Sequence, residues 1–285
     1  MRIALIQQYA GEDRADNLQR ALAAMGSARA AGADVCAFAE LAIDRFFPAE
    51  RGCAWAFEAA ESIPGPTADA VSARARELEL VTVFNLFEKV PDGRTFDTSP
   101  VFDADGSLLG ATRMLHIADY AWFHEREYYA AGDRGAPVYD TAAGRIGVAI
   151  CYDRHFPEYM RALGVAGAEL VVIPQAGTVG EWPEGMYEAE VRTAAFQNGY
   201  FAALCNRVGA EGELMFAGES FVTDPEGRVL VRGPAGEDAI VMCDLDLTAS
   251  ATSTARRLFW QDRRPELYGE WLGAKVSADS DGHGR

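Results

Sequence analysis

The chain has very little lysine and no long apolar run. Only Lys89 and Lys275 occur, and acidic residues outnumber basic ones by 43 to 26, for a net charge of −17. Nucleic acids and anionic membrane surfaces repel such a chain, so we expect neither as a partner. Nowhere do about 18 apolar residues follow one another, as a membrane span requires. The amino terminus, MRIALIQQYAGEDR, is also unlike a signal peptide. These absences predict a soluble, cytoplasmic protein.

Cysteine spacing excludes two further classes. The five cysteines are irregularly spaced and form no C-x-x-C pair, so neither a disulfide framework nor a zinc site is indicated. Cys36, Cys205 and Cys243 lie in apolar, strand-like runs, where a cysteine is most often a small buried hydrophobic residue. We therefore expect no metal and no cofactor.

The apolar periodicity predicts an α/β protein. The 285 residues, 49% hydrophobic, can bury one large core, and we expect a single domain over 1–270 followed by a disordered polar tail, 271–285. Two hairpin turns, Asp92-Gly93 and Asp105-Gly106, predict an antiparallel meander from Val81 to Leu115. The predicted strands are 2–8, 35–41, 81–89, 146–150, 169–174, 200–209 and 239–247, and the predicted helices are 12–31, 65–80, 183–198 and 247–258. Residues 117–135 read as a loop over a pocket, and the alternation indicates mixed sheets covered by helices.

Cys151 is the candidate nucleophile. It follows the apolar run 146–150 and precedes a helical pattern with Pro157 near its start. The unpaired N–H groups and the dipole at a helix N-terminus favour a thiolate over a thiol. We therefore expect the sulfur to be activated by its position.

Glu40 is the candidate base. Attack of a thiolate on an amide or nitrile carbon needs a proton acceptor, donors for the charge that develops, and an acid for the leaving nitrogen. Glu40 ends the second predicted strand and could serve as acceptor and acid. A solvated loop residue is the commoner reading of a lone glutamate in such a place.

Several segments resemble the nitrilase (carbon–nitrogen hydrolase) superfamily. The match runs in order from Met1 to about Tyr268. The segments that carry it are FAEL around Glu40, RMLHI at 113–117, EREYYAAGD from Glu125, ICYDRHFPE around Cys151, NRVG at 206–209, AGESFVTDPEG at 217–227 and CDLDL at 243–247. The resemblance implies a four-layer α-β-β-α sandwich with mixed sheets, which usually forms dimers.

The same resemblance implies a Glu-Lys-Cys triad assisted by a second glutamate. Glu40 matches the base, Cys151 the nucleophile and Glu125 the second glutamate, while the backbone N–H of Tyr152 would form part of the oxyanion site. Members typically read Arg-Lys-x-His where this chain reads Arg113-Met114-Leu115-His116.

Met114 thus occupies the lysine position, and a methionine neither donates a hydrogen bond nor carries charge. Neither Lys89, in the meander, nor Lys275, near the tail, is placed to substitute. Loss of the cation should raise the proton affinities of the two glutamates and leave the thiol protonated.

Several residues are candidates for substrate binding. CYDRHFPEYMR is similar to N-carbamoyl-amino-acid amidases and β-ureidopropionases, where the arginine matching Arg154 holds the substrate carboxylate; a salt bridge with Glu158 is the alternative. His116 can bind substrate or support the site from behind, as can Arg113. His124, beside Glu125, can contact ligand or solvent.

An aromatic group could wall an apolar part of the pocket or pack in the core or a dimer interface. It comprises Tyr120, Trp122, Phe123, Tyr128 and Tyr129.

Three functions remain open from the sequence. The first is a cysteine-dependent hydrolase of a linear amide or N-carbamoyl amino acid that works through a thioester and adapts to Met114 by an altered donor or a substrate bringing its own positive charge. The second is an acyl transferase that passes the acyl group to an amine. The third is a pseudoenzyme that binds a ligand or partner.

Overall fold

The computed structural model describes residues 1–272. Most of the strands belong to two mixed sheets. The strands are β1 (Arg2–Gln7), β2 (Val35–Phe38), β3 (Val81–Val83), β4 (Leu86–Lys89), β5 (Thr95–Phe102), β6 (Leu108–Arg113), β7 (Val138–Thr141), β8 (Gly144–Val148), β9 (Leu170–Gln175), β10 (Phe201–Asn206), β11 (Val208–Glu211), β12 (Leu214–Ala217), β13 (Phe221–Thr223), β14 (Val229–Arg232) and β15 (Ala239–Asp244). The α-helices are α1 (Arg14–Ala30), α2 (Ala54–Ala59), α3 (Pro66–Leu78), α4 (Pro157–Val165), α5 (Met186–Asn198), α6 (Thr248–Thr252) and α7 (Pro265–Leu272).

The first sheet has the order β15-β1-β2-β3-β5-β4, and β6 pairs with β5. Its strands β1, β2 and β3 are parallel, and the meander β4-β5-β6 is antiparallel, as the two Asp-Gly turns predict. The second sheet has the order β14-β13-β10-β9-β8-β7, with β8, β9 and β10 parallel. Strands β11 and β12 form a separate hairpin.

Side chains alternate along the strands and so divide the core into three parts. Leu5, Ala37 and Val172 belong to the part that lies between the two sheets. On the outer face of the first sheet, residues of α1 and α3 pack with Phe38, and on the outer face of the second sheet, α4 and α5 pack with Val171. This arrangement confirms the predicted four-layer α-β-β-α sandwich.

One predicted strand is in fact two. The run 81–89 is interrupted between β3 and β4, where Asn85 accepts a hydrogen bond from the backbone N–H of Leu41 and donates to Asp97 and Ser99. The break between the two strands places the Asn85 side chain where it can form these buried hydrogen bonds. The single strand prediction is therefore wrong at this point.

The carboxyl-terminal segment also differs from its prediction. The helix expected over 247–258 ends at Thr252, because Ser253 is extended and its hydroxyl accepts a hydrogen bond from the backbone N–H of Arg256. The predicted tail begins inside α7, and the rest of it lies outside the described residues.

No helix within residues 1–272 is long and apolar enough to cross a membrane.

The topology brings several chain segments to one edge of the sandwich. Glu40 follows β2, Cys151 follows β8, and Gln175 ends β9. Because β8 and β9 are parallel neighbours and β2 contacts β9 across the inter-sheet core, these carboxyl ends lie together.

Candidate active site

Cys151 lies on a tight turn, not at the N-terminus of an α-helix. A 3-10 turn covers Cys151–His155, the φ of Cys151 is +44°, and α4 begins only at Pro157. Its Sγ accepts a hydrogen bond from Nε2 of Gln175 at 3.2 Å and another from the backbone N–H of Ala176.

Two opposed predictions concern the Cys151 thiol: activation at a helix N-terminus, and a raised proton affinity because Met114 replaces the cation. Burial raises its pKa well above the ordinary value of 9.0, and the charges of Glu40 and Glu125 raise it further, whereas Arg154 only partly opposes them. The expectation that a helix dipole favours the thiolate is therefore wrong. The direction of the pKa shift agrees with the other prediction, that the loss of the cation favours the thiol over the thiolate.

Three predicted residues converge on one point. A carboxylate oxygen of Glu40, one of Glu125 and Sγ of Cys151 all lie within 4.8 Å of one another. Glu40 and Glu125 are fully buried and Cys151 is 5% exposed. Glu40 is thus not the solvated loop residue of the alternative reading.

The environment of Glu40 is acidic. Among the described residues no N–H or hydroxyl group donates to either of its carboxylate oxygens. Its side-chain neighbours are the carboxyl of Asp97 and the thiol of Cys151, which can donate only while they carry a proton. Burial, followed by the charge of Glu125, raises its pKa from 4.5 to about 8.

Asp97 belongs to this cluster, and the sequence analysis missed it. It lies on β5 with no exposed surface, and its Oδ1 accepts a hydrogen bond of 2.6 Å from Asn85. Burial and the neighbouring Glu40 raise its pKa well above the ordinary value. An acid in the middle of a strand, between Phe96 and Thr98, was the signal that could have revealed it.

Glu125 is held by the loop that carries it. Its Oε2 accepts a hydrogen bond from the backbone N–H of Ala118 at 3.1 Å. Its Oε1 has no hydrogen-bond partner within the described part of the chain. Burial and the charge of Asp97 raise its pKa well above 4.5. The buried hydroxyl of Tyr129 is close enough to feel the charges of this cluster, and its pKa is raised as well, mainly by burial.

Met114 directly follows β6, which ends at Arg113. Its backbone N–H donates to the carbonyl of Asp97 at 2.9 Å, which continues the β5–β6 pairing and puts both side chains on one face of the sheet. Met114 is fully buried. Lys89, the only lysine of residues 1–272, is exposed at the end of β4.

Arg154 has a different partner from the predicted alternative. Its Nε lies 3.3 Å from a carboxylate oxygen of Glu190, so the expected pairing with Glu158 is wrong. Nη1 donates to the carbonyl of Cys151 and to Oε1 of Gln175, and the guanidinium lies over the ring of Tyr187. The side chain is 2% exposed.

A second buried arginine, Arg207, holds the segment that follows β2. It donates to the carbonyls of Glu40, Leu41 and Asp44 and forms an ion pair with Glu211. It thereby fixes the backbone that carries the candidate base.

Within residues 1–272, neither histidine candidate forms a hydrogen bond or ion pair with Glu40, Glu125 or Cys151, and neither does Trp122. His116 bonds to Asp153 at 2.7 Å and stacks on Phe156, which favours support from behind the site. Nδ1 of His124 lies 3.7 Å from Asp119. Trp122 is 49% exposed and lines a surface cavity whose lining does not include Cys151.

The other aromatic candidates divide between two surroundings. Phe123, Tyr128 and Tyr129 are buried in the core between the sheets. Tyr120 packs near Tyr152 and Trp182 and donates to Glu181 at 2.7 Å.

The chain is similar to known proteins over most of its length. The profile of the carbon-nitrogen hydrolase family matches residues 2–254. The chain is 29% identical over 282 residues to an N-carbamoylputrescine amidase of Solanum lycopersicum, with 93% of each chain covered.

Two solved structures are also similar. A carbon-nitrogen hydrolase of Helicobacter pylori G27 has a TM-score of 0.90 at 25% identity, covering 97% of this chain and 99% of that one. A mutant amidase of Nesterenkonia sp. AN1, in which the acetamide moiety of fluoroacetamide is bound covalently at the active-site cysteine, has a TM-score of 0.80 at 26% identity, covering 95% and 97%. The chain therefore belongs to the carbon-nitrogen hydrolase family of the nitrilase superfamily.

Proposed function

We propose that this hydrolase cleaves a non-peptide C–N bond of a small linear amide or N-carbamoyl compound, through a thioester on Cys151. One observation carries the proposal: a sulfur and two glutamate carboxyls lie within 4.8 Å of one another in a buried site. A nucleophile beside a carboxyl group that can move its proton is the minimum that acyl transfer to sulfur requires.

Glu40 moves the protons in this scheme. As a carboxylate it takes the proton of the Cys151 thiol while sulfur attacks the carbon, and it then passes that proton to the leaving nitrogen. A base with a pKa of about 8 is well matched to a thiol. Water then attacks the thioester with Glu40 as its base, and the free acid leaves.

The remaining groups position sulfur and substrate. Gln175 and the backbone N–H of Ala176 fix Sγ, and the backbone N–H of Tyr152 is the proposed oxyanion donor. The proposed substrate contacts remain Arg154, His116, His124 and Trp122. Of these, Arg154 is nearest to Cys151 in the sequence and donates a hydrogen bond to its carbonyl oxygen.

Ammonia release from a panel of amides and carbamoyl compounds tests the proposal, with Cys151→Ala and Glu40→Gln as variants. We expect no release by Cys151→Ala and a loss of about 100-fold or more by Glu40→Gln, and a mass increase on Cys151 equal to the acyl group. Product analysis with and without an added amine separates hydrolysis from acyl transfer. Release of ammonia by Cys151→Ala at the wild-type rate would contradict the scheme.

We further propose a cytoplasmic homodimer. The homodimer is supported by a groove between α4 and α5 in which Met186, 41% exposed, lies beside polar residues such as Glu190 and Gln197. Light scattering with Met186→Glu tests the assembly: we expect the wild type as a dimer and the variant as a monomer. A wild-type monomer would contradict it.

A further inference from the structure

The buried cluster around Cys151 is rich in acceptors that receive no hydrogen bond. Glu40, Asp97 and Glu125 are each fully buried. Within residues 1–272, both carboxylate oxygens of Glu40, Oδ2 of Asp97 and Oε1 of Glu125 have no N–H or hydroxyl donor. While they are protonated, the Asp97 carboxyl and the Cys151 thiol can donate to Glu40. Once these acids ionise, the four oxygens are costly to bury unless a ligand with several N–H groups meets them.

The nearby cations are already paired with other acids. Arg154 lies against Glu190 at 3.3 Å, and Arg207 is ion-paired with Glu211. The charge of Arg207 lowers the pKa of Glu40, and the charge of Arg154 lowers that of Cys151. Burial nevertheless keeps the pKa values of Glu40 and Glu125 raised. His116 is bonded to Asp153. Nη2 of Arg154 has no hydrogen-bond partner within residues 1–272, but Arg154 forms no ion pair with Glu40, Asp97 or Glu125. Positive charge in direct contact with these three carboxyls would therefore come from a ligand.

We propose that the substrate supplies this charge at the very carbon that Cys151 attacks, so that the preferred substrate class is an amidine or guanidine in its protonated form. The inference rests on the proposed function, since it assigns the substrate of the same cysteine site.

Hydrogen-bond complementarity is the first argument. An amidinium or guanidinium group is planar and carries N–H donors in a fork that carboxylates accept two at a time. The cluster offers Glu40, Asp97 and Glu125 as acceptors around one sulfur. A neutral amide instead brings a carbonyl oxygen, which these carboxyls can bind only while they are protonated, into a site where Met114 offers no donor.

Charge during the reaction is the second argument. When a thiolate adds to an amide, a negative oxygen forms, and loss of one donor to such an oxygen costs about 100- to 1000-fold in rate. When a thiolate adds to an amidinium, the positive and negative charges cancel and the adduct is neutral. The absence of a cation at position 114 should therefore slow attack on an amide but should not slow attack on an amidinium.

The steps balance without a further reactant. Glu40 takes the thiol proton, a bond forms between Sγ and the amidinium carbon, and the neutral adduct carries two amino groups. Glu40 returns the proton to one amino group, the C–N bond breaks, and ammonia leaves a cationic thioimidate. Water adds to that carbon while Glu40 takes its proton. The C–S bond then breaks as Glu40 protonates sulfur, and the protonated amide product passes one proton to ammonia.

Acetamide and acetamidine form a matched pair of probes that differ only in O against NH₂⁺. We expect the wild type to release ammonia from acetamidine with a kcat/KM at least about tenfold that for acetamide. Met114→Leu, which is also neutral, should keep this preference, and Met114→Lys should reverse it, because the ammonium repels the amidinium and stabilises an oxyanion. Circular dichroism and a thermal melt establish that each variant is folded.

Asp97→Asn gives an independent variant should Met114→Lys not fold. It removes one carboxyl while keeping the shape, so the acetamidine preference should narrow severalfold. If acetamide is the better substrate of the wild type, the inference is wrong and the proposed hydrolase function stands. If neither probe, nor any amide or carbamoyl compound, is hydrolysed, the proposed function fails as well.

Binding gives a readout that does not depend on turnover. Isothermal titration of Cys151→Ala with acetamidine, in buffers of different ionisation enthalpy, should show proton release, because a bound cation favours the ionised carboxyls. Acetamide should bind more weakly and release no protons. Equal affinity for the two probes, or acetamidine binding without proton release, would overturn the inference.

Discussion

Glu40→Gln should make the protein more stable at high pH. The substitution keeps the shape of the side chain and removes a carboxyl that the fold buries among other acids. The folded-state pKa of about 8 lies above the ordinary 4.5. The stability that the protonated Glu40 contributes is therefore complete below pH 4.5 and is lost as the pH rises through 8.

The magnitude follows from that shift. Over the whole interval Glu40 costs the folded state about 5 kcal/mol, and between pH 5.5 and 8.5 about 3 kcal/mol of it appears. The free energy of unfolding of Glu40→Gln relative to wild type should rise by about that amount between the two pH values. Urea denaturation at both pH values, followed by circular dichroism, measures it.

Glu88→Gln is the matched control. Glu88 is also buried, but it forms an ion pair with Arg113 at 2.7 Å. Removing it should destabilise the protein by about 1 to 3 kcal/mol, with the same sign at both pH values, because the Arg113 guanidinium keeps only its ion pair with Asp133 and the hydroxyl of Thr98 loses a charged acceptor. If Glu40→Gln changes the free energy of unfolding equally at pH 5.5 and 8.5, the pKa of Glu40 is not raised in the folded protein and the reasoning is refuted.

Three further predictions follow from the same contacts. The rate of the wild type should rise with pH through an apparent pKa near 8, set by Glu40 as the base, and Met114→Lys should move this limb to lower pH, which pH–rate profiles test. Arg207→Met should lower the free energy of unfolding by about 3 kcal/mol or more, since it leaves the buried Glu211 carboxylate without its ion pair and with only the backbone N–H of Phe46 as a donor; unchanged denaturation would contradict it. Gln175→Leu removes a donor to the sulfur and should slow alkylation of the thiol by iodoacetamide, measured by mass spectrometry; an unchanged or faster rate would oppose that role.

Local patterns predicted much of the scaffold. Strand composition placed β1, β2 and β9, and the two Asp-Gly turns predicted the meander β4-β5-β6. The ordered motifs identified the four-layer sandwich and indicated Glu40, Glu125 and Cys151 together. Such signals suffice where periodicity and turn chemistry are set by neighbours in the chain.

The state of the site depended on contacts between distant segments. A helix dipole at Cys151 was expected to lower the pKa of its thiol, but burial and the charges of Glu40 and Glu125 raise that pKa, and Arg154 and the backbone N–H of Ala176 oppose them only in part. Asp97 entered the cluster only through pairing of its strand with β4 and β6.

The sequence by itself determined the alternation of strands and helices in much of the chain, the family, and the presence of Met114 in the motif where members typically have lysine. Only the tertiary structure decided that Arg154 is paired with Glu190 and that the oxygens of Glu40 lack donors. The physical reason is that a charge's neighbours and its burial are set by segments folded together from far apart in the chain, and these two quantities fix how readily it ionises.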